Sequence, residues 1–452
     1  MTDEATPWSL HPECPDVARL GPDPTIGLLR ARGARAMADR DQRTDAWRGG
    51  FTRRRFLAGA GAVGVAALGS QLVTARASFG AQAAGGTLVV VFLRGGMDGL
   101  SAVVPADDPH LAAARPDIGI PAGTLLQLDR GFGLHPALAP LHDLYTRGLF
   151  TAVPAVSTPD ISRSHFQAQD CLERGGSSAG TAEGWLDRVL DVTGPGTTFR
   201  SLTVGTTVTR SLAGDQSAMS LRKVDAFELH AGDADMHART TQALAALYTG
   251  VDHPITLDVA ATLDGLGTAA MMSAAGYEPA SPYPEGEFGE RMKEVARLIK
   301  ADVGLRVACV DVGGWDTHTD HGNVDDGAVT RQLTDLGATL GAFATDLSDR
   351  LGQVNVVVMT EFGRRVEQNA SRGTDHGHGA AVLLLGGGLA GGRVHGTWNG
   401  LAPEGLDQGD VPGWNDYRDV LSEVLTARLG VGAGDLPTVF PGHQARPIGI
   451  MA

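Results

Sequence analysis

Five short runs of apolar residues place the strongest constraint on the fold of this 452-residue chain. A run without polar alternation predicts a β-strand that is covered on both faces, as in the parallel sheet of an α/β protein. Between the third and fourth runs, apolar side chains recur at helical spacing over Val329–Leu351. The pattern therefore predicts an α/β fold with a mainly parallel central sheet and helices on both faces. The predicted strands are Thr87–Leu93, Leu149–Val156, Leu305–Val312, Val354–Met359 and Ala380–Leu385.

The region from about 206 to 300 differs from this pattern. Helical spacing recurs around Arg239–Tyr248 and Glu287–Lys300, and the Pro-rich segment Pro279–Pro284 links these stretches. We interpret the region as a helical insertion within one domain that spans residues 85–452.

The segment 51–84 has the features of a twin-arginine signal peptide. Arg53, Arg54 and Arg55 precede an uncharged Gly/Ala-rich run, Ala58–Val73, which is shorter than the roughly 20 residues that cross a bilayer. Cleavage is expected after a small-x-small triplet, at Ala75–Ala77 or Ala81–Ala83. The alternatives are an uncleaved anchor or a surface amphipathic helix. Residues 1–50 lack periodicity and are interpreted as a disordered extension, or as the result of a start codon placed too early.

The predicted signal implies that the Tat translocase exports the protein already folded, to the periplasm or outside the cell, with no stable membrane anchor. The charge balance, 52 acidic against 37 basic residues with a net charge of −15, does not suit nonspecific binding to nucleic acid or anionic lipid. Only Cys171 and Cys309 lie beyond the signal, so the fold depends on a large core rather than on a disulfide framework.

Polar, glycine-rich segments lie at the ends of the predicted strands, where ligands bind in open α/β sheets. Carboxylates and imidazoles together are ligands for Zn²⁺, Mn²⁺ or similar divalent ions. Each segment also has a purely structural interpretation: a turn at Asp98, an ion pair between Glu361 and Arg364 or Arg365, or a strand cap at Asp375–His376. The predicted metal ligands are Asp98, Asp316, His318, Asp320, His321, Glu361, His376 and His378.

A further segment, Asp160–Gln167, follows the second strand and begins a helical stretch. Ser162 or Ser164 suits the N-cap of that helix. Alternatively, the helix N-terminus and Arg163 bind an anion, a serine acts as the nucleophile, and His165 is a ligand or an orienting partner.

These motifs resemble those of the DUF1501 family, whose members are remotely similar to the alkaline phosphatase/sulfatase superfamily. The resemblance spans about Thr87 to Pro447, and the twin-arginine leader is common in the family. The motifs that carry it are Phe92–Gly99, Leu134–Leu138, Arg163–Phe166, Gly314–His318, Thr360–Arg364 and Asp375–Gly379.

The superfamily resemblance implies an alkaline-phosphatase-like fold, a metal-binding Asp at Asp98 and a nucleophile near Ser162–Ser164. Later Asp and His residues (Asp316, His318, Asp320, His321 and His378) would complete one or two metal sites. The chain departs from the superfamily pattern at Glu361-Phe362, which replaces an Asp-His pair. The expected nucleophile position, four residues before His165, falls on Ile161, and the Cys/Ser-x-Pro-x-Arg maturation motif of sulfatases is absent from the segment.

The resulting hypothesis is an exported metal-dependent hydrolase that acts on phosphate or sulfate esters, either of an anionic small molecule or of a polysaccharide. Ser164, or water, would attack, with His165 beside it, and Arg163 or Arg364 would hold the anionic oxygens. The alternative is a noncatalytic extracellular binding protein on the same scaffold. A redox enzyme fits poorly, because no Gly-x-Gly-x-x-Gly follows the first strand and no cysteine cluster exists for an iron–sulfur centre.

Overall fold

The first predicted strand lies near the middle of an eight-stranded sheet. The computed structural model describes residues 85–176, 182–216, 218–229, 234–248 and 254–452. Within them, β1 (Thr87–Leu93) is buried along its whole length and pairs in parallel with β8 (Val307–Val312) and β9 (Val354–Met359). A strand without a polar face requires neighbours on both sides and cover on both faces, and β1 has them.

The remaining strands are β2 (Val103–Pro105), β3 (Leu126–Gln127), β4 (Phe132–Leu134), β5 (Phe150–Ser157), β6 (Ser201–Val204), β7 (Met219–Leu221), β10 (Ala380–Gly386) and β11 (Asn415–Asp416). The order of strands in the large sheet is β11-β5-β10-β9-β1-β8-β6-β7, and a smaller sheet has the order β2-β4-β3. The α-helices are Gly99–Ala102, Pro109–Ala114, Ala139–Thr146, His165–Glu173, Trp185–Val192, Ala234–Tyr248, Pro254–Ala275, Glu287–Lys300, Ala328–Leu347, Tyr417–Val424 and Leu436–Val439. A π-helical turn, Leu425–Leu429, extends the helix before it.

One strand of the large sheet, β10, runs against all the others. It pairs antiparallel with both β5 and β9, whereas the other pairs in this sheet are parallel. The N-terminal end of β10 therefore lies at the same edge of the sheet as the C-terminal ends of β5, β9, β1 and β8. The loop before β10 is thereby brought to the loops that follow the parallel strands.

Side chains of β1 alternate between two separate cores, one on each face of the sheet. Val89, Val91 and Leu93 belong to the core that includes the helices Glu287–Lys300 and Ala328–Leu347. Their neighbours Leu88, Val90 and Phe92 belong to the core formed with the helices Trp185–Val192 and Tyr417–Val424. The structure thus confirms the predicted α/β class, with helices on both faces of a mainly parallel sheet.

The leader and the extension, residues 1–84, lie outside the described residues, so their assignments remain predictions. The boundaries of the insertion predicted at about 206–300 also remain predictions. In this region the structure has β7 and three of the helices. Within the part of the chain that the structure describes, no helix is both long and apolar enough to span a bilayer.

Candidate functional site

Three loops meet at the end of the sheet where the parallel strands end and β10 begins. His165 is the first residue of the helix His165–Glu173, which follows β5. Asp316 and His318 lie in the loop after β8, and His376 lies in the loop before β10. We call these four residues the histidine cluster.

The carboxylate of Asp316 lies among three imidazole Nε2 atoms. Nε2 of His318 and of His376 lie 3.0 Å and 3.1 Å from Asp316 Oδ1. Nε2 of His165 lies 3.4 Å from Oδ2 of the same carboxylate. The Nε2 atoms of His318 and His376 are themselves 3.0 Å apart. Candidate ligand atoms of His165, Asp316 and His376 all lie within 4.8 Å of one another.

Each of the three rings is held through its other nitrogen, Nδ1, which faces a hydrogen-bond acceptor. A neutral imidazole bound in this way carries its proton on Nδ1 and leaves the Nε2 lone pair free for a cation. The acceptors are Glu361 Oε1 for His165 (2.8 Å), Asp375 Oδ1 for His318 (3.1 Å) and the Arg163 carbonyl for His376 (2.9 Å).

Glu361 is buried behind His165 and has both oxygens engaged. Oε1 accepts hydrogen bonds from His165, from Gln169 Nε2 (2.8 Å) and from the Gly95 amide (2.9 Å). Oε2 accepts from the Gly96 amide and from the Thr360 hydroxyl. Burial alone would raise the pKa of Glu361, but these hydrogen bonds outweigh it and lower the pKa. Glu361 is therefore an ionised carboxylate that orients His165, placed behind the cluster rather than among its converging atoms.

The backbone at Gly95 requires glycine. Its φ of 122° lies in the region that side chains rarely adopt, and an added Cβ would lie 2.6 Å from the Asp316 amide nitrogen. The close approach brings the loops after β1 and β8 together. It also directs the Gly95 amide to Glu361 and the Gly95 carbonyl to Arg364.

Arg364 fixes the position of the Asp316 carboxylate. Its guanidinium is fully buried, donates to Asp316 Oδ1 at 2.8 Å, and also donates to the carbonyls of Gly95, Gly96, Trp315 and Thr374. Burial would raise the pKa of Asp316, but the hydrogen bond and the charge of the Arg364 guanidinium outweigh burial and lower the pKa to about 2. Asp316 is thus charged at neutral pH and is fixed at the centre of the cluster.

The arrangement fits a divalent metal ion. Because each Nδ1 faces an acceptor, the lone pairs of His318 and His376 face each other, which is stable only with a positive charge between them. The buried Nε2 of His165 makes no hydrogen bond. Ligand atoms about 2.0–2.1 Å from a tetrahedral ion lie about 3.3 Å apart, a spacing that the candidate ligand atoms of His165, Asp316 and His376, all within 4.8 Å of one another, allow. Two imidazoles and a carboxylate suit Zn²⁺ or Mn²⁺, and His318 Nε2 lies next to this set, 3.0 Å from Asp316 Oδ1 and from His376 Nε2.

The structure places two of the predicted ligands, Asp98 and His321, in a different cluster. The Asp98 carboxylate forms a bidentate salt bridge with Arg115 (2.5 Å and 3.1 Å) and accepts from the Ser101 hydroxyl at 2.6 Å. His321 Nε2 lies 3.2 Å from the same carboxylate. Burial would raise the pKa of Asp98, but Arg115 and His321 hold it well below its usual value. We call these four residues the arginine cluster.

Two other predicted ligands lie apart from both clusters. Asp320 is exposed and pairs with Arg372 at 3.0 Å. His378 Nε2 lies 3.2 Å from the Thr158 carbonyl, its hydrogen-bond partner. Neither side chain contributes an atom to the histidine cluster.

The predicted catalytic residues Ser164 and Arg163 do not direct their side chains to the histidine cluster through any hydrogen bond seen in the described residues. Ser164 is the N-cap residue of its helix, but its side chain makes no capping hydrogen bond. Arg163 donates Nε–H to Asp410 at 2.7 Å, and its contribution to the cluster comes from its backbone carbonyl. The structure therefore brings together His165, Asp316, His318 and His376 from the predicted set, with Glu361 behind them.

Two residues of the site were not assigned a role from the sequence. Asp375 orients His318, and its position directly before His376 was the available signal. Gln169 links Glu361 to Arg94, whose Nη1 donates to Gln169 Oε1 at 3.1 Å. Its position four residues after His165, one helical turn, places it on the same helix face.

Comparisons with known proteins place the sequence in a described family. A family model described as "Protein of unknown function (DUF1501)" matches residues 147–444. No curated protein is significantly similar in sequence.

Similar solved structures include the PsFucS1 sulfatase from Pseudoalteromonas sp., with 12% identity, coverage of 82% of this chain and 74% of that chain, and a TM-score of 0.36. The phosphonate monoester hydrolase of Agrobacterium radiobacter has 8% identity, coverage of 77% and 74%, and a TM-score of 0.34. The zinc complex of the C-terminal periplasmic domain of EcEptC from Escherichia coli has 11% identity, coverage of 70% and 76%, and a TM-score of 0.32. These structural similarities are too weak to indicate an activity.

Proposed function

This chain belongs to the DUF1501 family, and from that premise we propose that it is a metal-dependent hydrolase of phosphate or sulfate esters. The observation that supports the proposal is the convergence of three Nε2 atoms on Asp316, with every Nδ1 held by an acceptor. Such preorganised imidazoles are typical of protein metal sites.

His165, Asp316, His318 and His376 would hold the ion. When bound, a Zn²⁺ or Mn²⁺ ion activates water and stabilises negative charge on a transferring phosphoryl or sulfuryl group. Glu361 keeps the proton of His165 on Nδ1, and Arg364 keeps Asp316 ionised and in place. The attacking group is either a water molecule or the hydroxyl of Ser164, which is next to His165 in the chain.

Elemental analysis of the purified protein tests the proposal. We expect about one Zn²⁺ or Mn²⁺ per chain and a loss of most of that metal in Asp316→Ala, because the variant removes the carboxylate shared by all three imidazoles. Asp320→Ala is the matched control, since this aspartate lies in the same loop but is exposed and paired with Arg372. A metal-free preparation that takes up neither ion would overturn the proposal.

A noncatalytic binding protein on the same scaffold is the second candidate. One observation favours it: both arginines expected to hold anionic oxygens are already engaged, Arg163 by Asp410 and Arg364 by Asp316 and four carbonyls. A screen against phosphate and sulfate esters separates the two candidates. Turnover that disappears in Asp316→Ala supports catalysis, whereas full metal occupancy without turnover supports binding alone.

Export remains part of the proposal, supported by Arg53, Arg54 and Arg55 ahead of an uncharged run. Replacing these three residues with lysine keeps the charge but removes the twin-arginine signal. We expect the processed protein outside the cytoplasm for the wild type, and unprocessed protein retained in the cytoplasm for the variant. Equal export of both would contradict a twin-arginine route.

A further inference from the structure

Two large apolar side chains are exposed to solvent on either side of His165, one in the loop before the helix His165–Glu173 and one in its first turn. Among the described residues, the exposed large hydrophobic side chains are Ile161, Phe166 and Met271, with exposed fractions of 75%, 88% and 68%. Ile161 and Phe166 lie within six residues of each other, and the segment between them supplies the His165 imidazole and the Arg163 carbonyl to the histidine cluster. An exposed apolar pair next to a polar site commonly marks a binding surface.

Hydrogen bonds and an ion pair fix this loop. Asp160 accepts from the amide (3.1 Å) and the hydroxyl (2.5 Å) of Ser162, whose Oγ in turn accepts from the Ser164 amide at 3.1 Å. Arg163 has a left-handed φ of 56° and is held by Asp410 through its side chain and by His376 through its carbonyl. The exposure of Ile161 and Phe166 is therefore imposed by a structured loop.

We propose that Phe166 and Ile161 contact the organic part of an ester bound at the histidine cluster, so that the preferred substrates carry an apolar organic group. This inference rests on the proposed function. Phe166 follows His165 directly in the helix and Ile161 precedes it by four residues, so both side chains lie on the segment that supplies His165 to the cluster. An organic substituent that extends along this segment from an anionic group held at the cluster contacts them. An aromatic ring offers a face for stacking as well as apolar area.

The size of the apolar surface favours a small molecule over a protein partner. A phenylalanine side chain buries about 150–250 Å² and an isoleucine less, so the pair offers on the order of 300 Å². A stable protein interface buries about 800 Å² on each partner. A lipid surface is disfavoured because the chain has a net charge of −15, and membrane surfaces that attract proteins electrostatically are themselves anionic.

Binding of two phosphonates to the metal-loaded full-length protein tests the inference. Phenylphosphonate and methylphosphonate carry the same anionic group and differ in the apolar substituent. We expect phenylphosphonate to bind about tenfold more tightly by calorimetry, because the ring is partly buried against Phe166. In Phe166→Ala this preference should fall to about twofold, and in Ile161→Ala to an intermediate value.

Met271→Ala is the matched control, since it removes a comparably exposed side chain from a helix distant in sequence. It should retain the full preference. Metal content is measured first: a chain without metal refutes the proposed function itself. If metal is bound and both phosphonates bind, then equal affinities in the wild type or a preference that survives Phe166→Ala each overturn this inference alone. Failure of both phosphonates to bind the metal-loaded protein overturns the inference together with the proposed anion site.

Discussion

The histidine cluster and the arginine cluster each place a histidine beside an aspartate and share the loop after β8, yet the two aspartates differ in their burial and in how a guanidinium binds them. Asp98 is paired with the Arg115 guanidinium, and both side chains are at most 1% exposed. Asp316 is 45% exposed and is surrounded by three imidazoles, each with Nδ1 turned outward to an acceptor. Each aspartate is paired with a buried guanidinium, but Arg115 donates to both oxygens of Asp98, whereas Arg364 donates to Oδ1 of Asp316 and Oδ2 faces the His165 imidazole.

The difference shows why an Asp–His pair alone does not identify a metal site. His321 lies 3.2 Å from Asp98, as close as His318 and His376 lie to Asp316. However, His321 Nδ1 faces the Thr317 hydroxyl, and its Nε2 faces both the Ser101 hydroxyl and the Asp98 carboxylate, so neither nitrogen is free. Ligand competence depends on a free Nε2 lone pair and on a carboxylate oxygen that no guanidinium occupies.

The largest expected effect is on folding stability, in Arg115→Met. Removal of the guanidinium leaves the Asp98 carboxylate buried and unpaired, which costs about 3–5 kcal/mol of unfolding free energy. Chemical denaturation of the wild type and the variant measures the difference. Arg372→Met, which breaks the exposed pair with Asp320, should leave the unfolding midpoint unchanged. Equal stability of all three proteins would show that Arg115 does not compensate Asp98.

The next effect is on metal affinity, in Glu361→Gln. The amide cannot hold the His165 proton on Nδ1 as the ionised carboxylate does, so we expect metal affinity to fall about 10–100-fold. Competition with a chelator of known affinity measures the change. Asp346→Asn is the control for loss of a buried carboxylate, because Asp346 bonds Tyr283 and Lys300 rather than the cluster. An unchanged metal affinity in Glu361→Gln would show that Glu361 does not orient His165 for metal binding.

The sequence predicted the central sheet well because its strands are long and uniformly apolar. β1 and β9 have the predicted bounds, and β5, β8 and β10 differ from them by one or two residues. The strands β2, β3, β4, β6, β7 and β11 were not predicted. They have two to four residues each, too few for a periodic signal, and tertiary pairing rather than local pattern defines them.

The sequence predicted the types of residue in the site, but it did not predict that they belong to two separate clusters. The residue that separates them, Arg115, lies 17 positions after Asp98 and outside every polar motif, so no spacing rule connects the two. The direction of β10 was also invisible to a pattern of apolar runs, although it brings His376 to the cluster. Glu361 was predicted as a ligand because a carboxylate suits a metal. Its two oxygens are instead used by five donors that only the fold brings together.

The smallest effect is the pH dependence of the unfolding free energy that Asp98 contributes to the arginine cluster. The pKa of Asp98 is lower in the folded chain than its unfolded value of about 3.9, so the folded state binds fewer protons there. The resulting stability is fully present above about pH 5 and is lost as the pH falls, by about 1 kcal/mol at pH 3. Asp98→Asn lacks this group, so the gap in unfolding free energy between wild type and variant should narrow by that amount between pH 6 and pH 3. Parallel curves over this range would mean that Asp98 is not held ionised by Arg115, and the distinction between the two clusters would then lose its electrostatic basis.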